Sequence, residues 1–404
     1  MQTNLKKENI NPNSLILDID HPFLQYPSKP GKTQFATITT TIRNIDGKPL
    51  GNLKVFISDH SEKNLQRVKI LDSNHNEITV QEEGMIEGFY VSTDPHGKIK
   101  FFIYPLMHTP LVINLTAQIK EYTDLIQAKY TLYIANHSLE NEEKDLISPE
   151  IINFVGENLK SDGTSKFTIK IEEYTKFTSG DYILFFVNDI YTKVSIQLRS
   201  ASDLNSINVP YCIFNKGERS SFSYVVIGSL SEYMGTSMPI DLIYQGNPHN
   251  QPWTDVDRTY DACTVYNSGG PSPKNIVRQY DWITDATISG NSGKFGQYGQ
   301  YGLFVKIIGG LDDSTNASLV PFGSKVTLNL YITSQEKKTT KYFKNKQMPI
   351  GANNTAELII PIPSEYITNN PNGLIYLDYQ IGSDNDVNVS YGNIWFAKID
   401  TRSI

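Results

Sequence analysis

Two cysteines, three tryptophans and seven histidines are all that a 404-residue chain offers to the usual chemistries of thiols, metals and proton transfer. The histidines are scattered, none lies beyond His249, and no i,i+4 pair is present to hold a metal from one helix face. Cys212 and Cys263 lack metal-finger spacing, so they read as two buried free thiols or, in an oxidising compartment, as a single disulfide. Also missing are G-x-S-x-G, H-E-x-x-H, the G-x-x-x-x-G-K-[ST] phosphate loop and a G-x-G-x-x-G after a strand. These absences point away from serine-hydrolase, zinc-protease and nucleotide chemistry, and the chain reads as non-enzymatic. Paired carboxylates meet only in space and escape a reading of this kind.

Long apolar runs are scarce too. No segment approaches the ~20 apolar residues that a membrane-spanning helix needs, so membrane insertion is not expected. The first twenty residues, MQTNLKKENINPNSLILDID, carry two lysines with no apolar stretch behind them. The expectation is no signal peptide, synthesis in the cytoplasm, and release or surface association by a route other than general secretion. A net charge of −7 and a pI near 5.6 argue against nucleic acid as a partner. With 39% hydrophobic and 11% aromatic residues the chain can pack cores, and its length asks for two to four of them.

What the chain has in plenty is period-two alternation. Leu15, Leu17 and Ile19 begin it; Ala36, Ile38, Thr40 and Ile42 continue it; Asp46-Gly47 and Pro49 interrupt it; Leu53, Val55 and Ile57 resume it. The spacing predicts two half-buried antiparallel strands joined as a hairpin at Asp46-Gly47, covered by a second sheet. Ile99, Phe101 and Ile103, then Ile113 to Ile119, then Ala128 to Ile134 supply further strands. Some seven short strands in about 120 residues is the pattern of an immunoglobulin-like sandwich. The fold class is therefore all-β, as tandem immunoglobulin-like β-sandwiches. A polar arm at 1–14 precedes a first sandwich at 15–136. A charged linker at 137–145 (from HSLENEEKDLISPE) leads to a second sandwich at 146–246. A connector rich in aromatics and glycine, together with a third sandwich, fills 247–404. The third module repeats landmarks of the second: Phe322-Gly323-Ser324 stands as Ser179-Gly180-Asp181 does, Ile362-Pro363 as Val209-Pro210, and Ile381-Gly382-Ser383 as Ile227-Gly228-Ser229.

The stretch Thr37 to Ile57, with IRNIDGKPLGNLKVFI at its centre, resembles the N-G-x-P hairpin of the bacterial immunoglobulin-like domains of invasin and intimin, the Big-1 type. Asp46 stands where that family usually has Asn. Thr93 to Lys98 is similar to the family's later T-D-x-x-G-K turn, and Val112 to Ile119 to its last strands. The resemblance covers about a third of the chain and implies an adhesive or spacer module of a virulence-associated surface protein. The second and third modules resemble the immunoglobulin-like repeats of adhesin-like proteins of gamma-proteobacteria.

Candidate contact residues crowd the connector: Trp253, Tyr260, Tyr266, Tyr280, Trp282, Phe295, Tyr298 and Tyr301. Flat apolar faces with a polar handle suit stacking on sugars or a protein interface, and equally suit plugging a junction between sandwiches. Asp255, Asp257 and Asp261 could offer carboxylates to calcium, as could Asp384-Asn385-Asp386, although neither run has EF-hand spacing and solvated turns explain both. No other cofactor is expected. The function these features suggest is adhesion or recognition of a host or cell-surface protein or glycan. Two readings stay beside it. One is a self-assembling fibre, lattice or inclusion subunit, a homo-oligomer joined through sheet edges and the N-terminal arm. The other is a carbohydrate-binding accessory of a toxin or injection system.

Overall fold

The computed structural model describes residues 10–25, 34–59, 64–84, 86–106, 110–137, 146–229, 234–289, 300–311, 317–351, 354–382 and 389–402. Strands dominate, and the single α-helix among the described residues is the five-residue Asp285–Ser289. The chain is all-β. It divides into two compact units, an N-terminal one of 1–158, 167–209 and 213–244, and a C-terminal one of 159–166, 210–212 and 245–404.

The N-terminal unit contains two sandwiches. In the first, a four-stranded sheet holds Asp18–Ile19, Ala36–Thr41, Lys98–Pro105 and Val68–Asp72 in that order. A five-stranded sheet built around Lys54–Asp59 and Ile86–Ser92 faces it. Leu17, Ile19, Ile38, Phe101 and Ile103 from one sheet meet Val55, Ile57, Phe89, Leu115 and Ala117 from the other in one core. The expected hairpin does not form. Ala36–Thr41 pairs with Lys98–Pro105, whereas Lys54–Asp59 pairs with Ile86–Ser92 in the opposite sheet. The residues between cross from one sheet to the other, with Ile42 and Leu53 buried on the way. Alternation places side chains inside or outside, and both strands satisfy it across a shared core without touching each other.

The two glycine turns do form, and they lock together. Gly47 and Gly97 take φ of 79° and 74°. The Asp94 carboxylate accepts the amides of His96 and Lys98 at 2.8 Å each, and the Gly97 carbonyl accepts the Ile42 amide at 2.8 Å. A Cβ at Gly97 would stand 2.7 Å from the Ile42 carbonyl oxygen, so both the dihedral and the space demand glycine. The arm expected at 1–14 ends earlier. Ile10 is buried, Asn11 caps a 3₁₀ turn at Pro12–Leu15, and residues 1–9 lie outside the described residues.

In the second sandwich, Tyr182–Val187 lies between Ile190–Gln197 and Arg219–Ile227. In its core Phe185 stacks on Phe222, and Phe167 meets Phe222 edge-on. Ahead of this strand Asp181, fully buried, accepts hydrogen bonds from Tyr174 Oη, the Thr178 amide and the Ser229 amide. The two sandwiches share an apolar contact of Val112, Tyr133, Ala135, Leu184, Phe186, Val225 and Ile227. His137, expected at the start of a solvated linker, is buried there with its ring 4.0 Å from that of Phe186, and 138–145 lie outside the described residues.

The C-terminal unit packs a seven-stranded sheet on a five-stranded one. Val326, Leu328, Leu330, Ile375, Leu377, Trp395 and Ile399 of the first meet Val265, Leu303, Val305, Ile307, Ile360 and Ile362 of the second. Its strand plan follows that of the second sandwich. A glycine with positive φ (Gly180, Gly323) precedes a central strand, which pairs first with its hairpin partner and then with a returning strand. The intervening connection runs through Val-Pro or Ile-Pro into a 3₁₀ turn.

Candidate functional site

The outer face of the seven-stranded sheet is where the connector's residues meet side chains from the far end of the chain. Trp395–Asp400 pairs in parallel with Trp282–Thr284 and antiparallel with Gly373–Ile381. Because side chains alternate along each strand, Trp395, Ala397 and Ile399 enter the core, leaving Phe396 and Lys398 on the outer face. The register then sets Trp282, Lys398 and Leu374 in one row and Phe396 and Tyr376 in the next.

This half of the face is open. Tyr280 is 66% exposed, Trp282 48% and Leu374 37%, whereas most rings of the chain are buried or half-buried. The Tyr280 ring stands edge-on to Phe396 at 4.5 Å, Phe396 stacks on Tyr376 at 5.9 Å, and the Lys398 ammonium lies 5.3 Å from the Trp282 ring. Tyr280 takes φ of 71°, a left-handed conformation that costs a bulky residue of order 1–3 kcal/mol. Its amide donates to the Phe396 carbonyl at 3.0 Å, which holds the tyrosine over the strip.

The other half of the face is roofed by residues 247–258. Asn250 donates to the Ile332 carbonyl at 2.7 Å and its amide oxygen accepts from Thr340. Arg258 reaches Asp378 Oδ2 and the Trp253 carbonyl, each at 3.0 Å, and also the Gly392 carbonyl. Asp378 is fully buried and accepts a second hydrogen bond from Asn329 at 2.9 Å. Burial pushes the Asp378 carboxyl above its usual range, and the Arg258 guanidinium opposes that rise. The ion pair anchors the connector to the sheet.

The sequence candidates therefore separate. Tyr280 and Trp282 belong to the open strip. Tyr266 is buried, and Tyr260 packs half-buried on the core, so these two plug the sandwich. Trp253 is half-buried and contributes its carbonyl to Arg258. Tyr301 is half-buried against Phe304, and Tyr298, Phe295 and 383–388 with their acidic turn lie outside the described residues. The three aspartates do not converge. Asp255 accepts from the Ser165 amide and hydroxyl, Asp261 from the Ser318 hydroxyl, and Asp257 is engaged through its backbone carbonyl with the Tyr391 amide. Among the described residues no group of three or more His, Cys, Asp or Glu is placed to hold a metal ion. Cys212 and Cys263 are unpaired, the first exposed and the second buried, and burial pushes the Cys263 thiol up to about 12. Phe396, Tyr376, Leu374 and Lys398 were missed as site residues, because only the alternation W-F-A-K-I-D hints that one large ring of that strand faces out.

No protein-family model and no curated protein matches the chain. Among solved structures, one described as concerning host cell surface retention of a 1.5-MDa bacterial ice-binding adhesin aligns over 98% of this chain and 100% of its own, at 11% identity and a TM-score of 0.16. A putative membrane-anchored protein from Corynebacterium diphtheriae aligns over 95% and 91%, at 12% identity and 0.20. The adhesin domain of Epf from Streptococcus pyogenes aligns over 53% and 73%, at 10% identity and 0.18. At such scores whole chains do not superpose as rigid bodies, and none of these proteins' properties is carried over. No helix among the described residues is long and apolar enough to cross a membrane.

Proposed function

We propose that the chain is a non-enzymatic recognition protein whose contact surface is the open strip of Trp282, Tyr280, Phe396, Tyr376 and Leu374, and that it serves adhesion to a cell-surface protein or glycan. The observation that carries this is the left-handed Tyr280, a bulky residue held at a conformational cost with its ring over Phe396 and mostly in water. A tyrosine kept there only to fill space would be expected to be buried. Large rigid rings on a sheet face give contact area at little entropic cost, which is how aromatic anchors dominate interfaces.

Assembly by strand addition draws less support. Thr355–Pro363, an edge of the five-stranded sheet, carries Pro361 and Pro363, and Lys338–Gln347, an edge of the seven-stranded sheet, is rich in lysine; both devices discourage pairing with another copy.

The test is binding of the full chain to a panel of immobilised uncharged oligosaccharides and, at about 200 mM salt, to intact cells, comparing wild type with Trp282→Ala and Tyr280→Ala. Each exposed ring should cost about tenfold or more in affinity, as anchors do. Tryptophan fluorescence and circular dichroism should confirm that the variants are folded. Binding that survives both substitutions unchanged would sink the proposal.

A further inference from the structure

The Lys338–Gln347 edge carries more positive charge than edge protection needs. Residues 337–347 read KKTTKYFKNKQ, five lysines with no acidic residue among them, in a chain whose net charge is −7. The strand facing it, Lys325–Thr333, has no acidic residue either: Thr333 stands opposite Lys338, Leu330 opposite Lys341 and Val326 opposite Lys346. Lysines placed to stabilise a sheet would be expected across from carboxylates. Instead the Lys337 and Lys338 ammonium groups donate to the carbonyls of Thr368 and Pro248, and Lys341 stands 4.6 Å from the Tyr366 ring. All three are exposed, and among the described residues they form no ion pair. A proline or a charge or two suffices to block an edge, as Pro361 and Pro363 on an edge of the five-stranded sheet illustrate.

We infer that this edge is a binding surface for a single-chain acidic polysaccharide, one carrying sulfate or carboxylate groups in repeat. From Lys338 to Lys346 an extended strand spans about 26 Å. Around the irregularity between Val326 and Leu328 the register slips by one residue, which turns Lys346 to the same side as Lys341. Cations thus flank the edge on both sides, and a thin chain running along the strand meets the four from Lys338 to Lys346. A nucleic-acid duplex is a poorer fit, because its width would press further phosphates against a body that is acidic overall. This surface is independent of the aromatic strip, since no residue of the strip lies on the lysine strand.

The experiment is titration of the full chain with a size-defined sulfated oligosaccharide at rising salt. Four neutralised anions, taken with the counterion-release slope of single-stranded polyanions, give a loss of about fiftyfold in affinity between 50 and 200 mM salt. Lys338→Gln with Lys341→Gln should halve the logarithmic slope and weaken binding at low salt by about tenfold or more; Lys338→Arg with Lys341→Arg should bind as wild type. Absence of binding at 50 mM salt would overturn the inference, as would binding indifferent to the glutamine pair. So would equal or tighter binding of single-stranded nucleic acid of the same length. If the glutamine pair aggregates while the wild type binds no polyanion, the lysines serve solubility and the inference fails.

Discussion

Replacing Arg258 by methionine is the sharpest way to probe how the connector is held. The substitution keeps an apolar stem of similar length and removes the only cation among the described residues bonded to Asp378, which remains fully buried with Asn329 as its other partner. Removing one member of a buried ion pair costs about 3–5 kcal/mol, because the remaining charge is desolvated without compensation. The hydrogen bonds to the Trp253 and Gly392 carbonyls are lost as well. Asp378 titrates in the folded protein above its unfolded value of 3.8. A carboxyl shifted in that direction favours folding most below the unfolded value, and that contribution disappears as the pH rises through the folded one. Without Arg258 the folded value rises further, so the penalty grows toward neutral pH. The deficit should be the full 3–5 kcal/mol at pH 7 and only about 1–2 kcal/mol near pH 4, where the protonated carboxyl leaves just the lost hydrogen bonds. All three tryptophans, Trp253, Trp282 and Trp395, lie in the C-terminal unit, so tryptophan fluorescence during urea unfolding reports that unit alone. Adding Asp378→Asn should restore part of the loss at pH 7 and little at pH 4. A deficit equal at the two pH values, or below 1 kcal/mol at pH 7, would refute the account of the anchor.

Three further outcomes follow from particular contacts. Asp181→Ala removes a buried acceptor of three hydrogen bonds and should lower the stability of the N-terminal unit by about 3 kcal/mol, seen as an earlier circular dichroism transition with unchanged tryptophan fluorescence. Gly97→Ala forces a Cβ against the Ile42 carbonyl at positive φ and should cost about 1–3 kcal/mol in thermal unfolding; a neutral result would mean the two turns are not locked. A thiol reagent should label Cys212, exposed although burial of its sulfur pushes the thiol up to about 11, slowly at pH 8 and faster as the pH rises, but reach Cys263 only after denaturation; two thiols labelled at one rate in the native protein would contradict the burial of Cys263.

Inside and outside were legible in the sequence; neighbours were not. Leu15, Leu17 and Ile19 all enter the first core as their alternation requires, and the glycines at 47, 97, 180 and 323 all take the left-handed turns their contexts imply. Period two has no memory of which sheet a strand joins, so Ala36–Thr41 and Lys54–Asp59 read as a hairpin although they lie on opposite sides of a core. The same blindness affects the site. Tyr266 and Trp282 look equivalent as aromatic connector residues, yet one is buried in a core strand and the other is left in water beside Lys398. What separates them is pairing with distant strands, Tyr266 opposite Phe304 and Trp282 opposite Lys398, a registry that local pattern cannot carry. The three aspartates failed as a cation site for a related reason: sequence proximity along an extended segment does not make carboxylates converge.

The two halves of the outer face differ in what keeps them in place, and this separates stability from recognition. Under the roof, Asp378 and Asn329 are polar groups that a sheet face exposed to water would solvate easily; burying them requires Arg258 to supply a partner to Asp378, while Asn250 fixes the connector to the Ile332 carbonyl. The open strip needs no such cover, because Trp282, Phe396 and Tyr376 are positioned by strand pairing on either side of Trp395–Asp400. Loosening the connector at Asn250 should therefore weaken the C-terminal unit without moving the strip, and removing the Trp282 ring should do the reverse. A variant pair that behaves this way would assign the connector's packing to the roofed half and its contact with a partner to the open one. If instead Asn250→Ala abolished binding while the sandwich stayed folded, the contact surface would have to be sought on the roof itself.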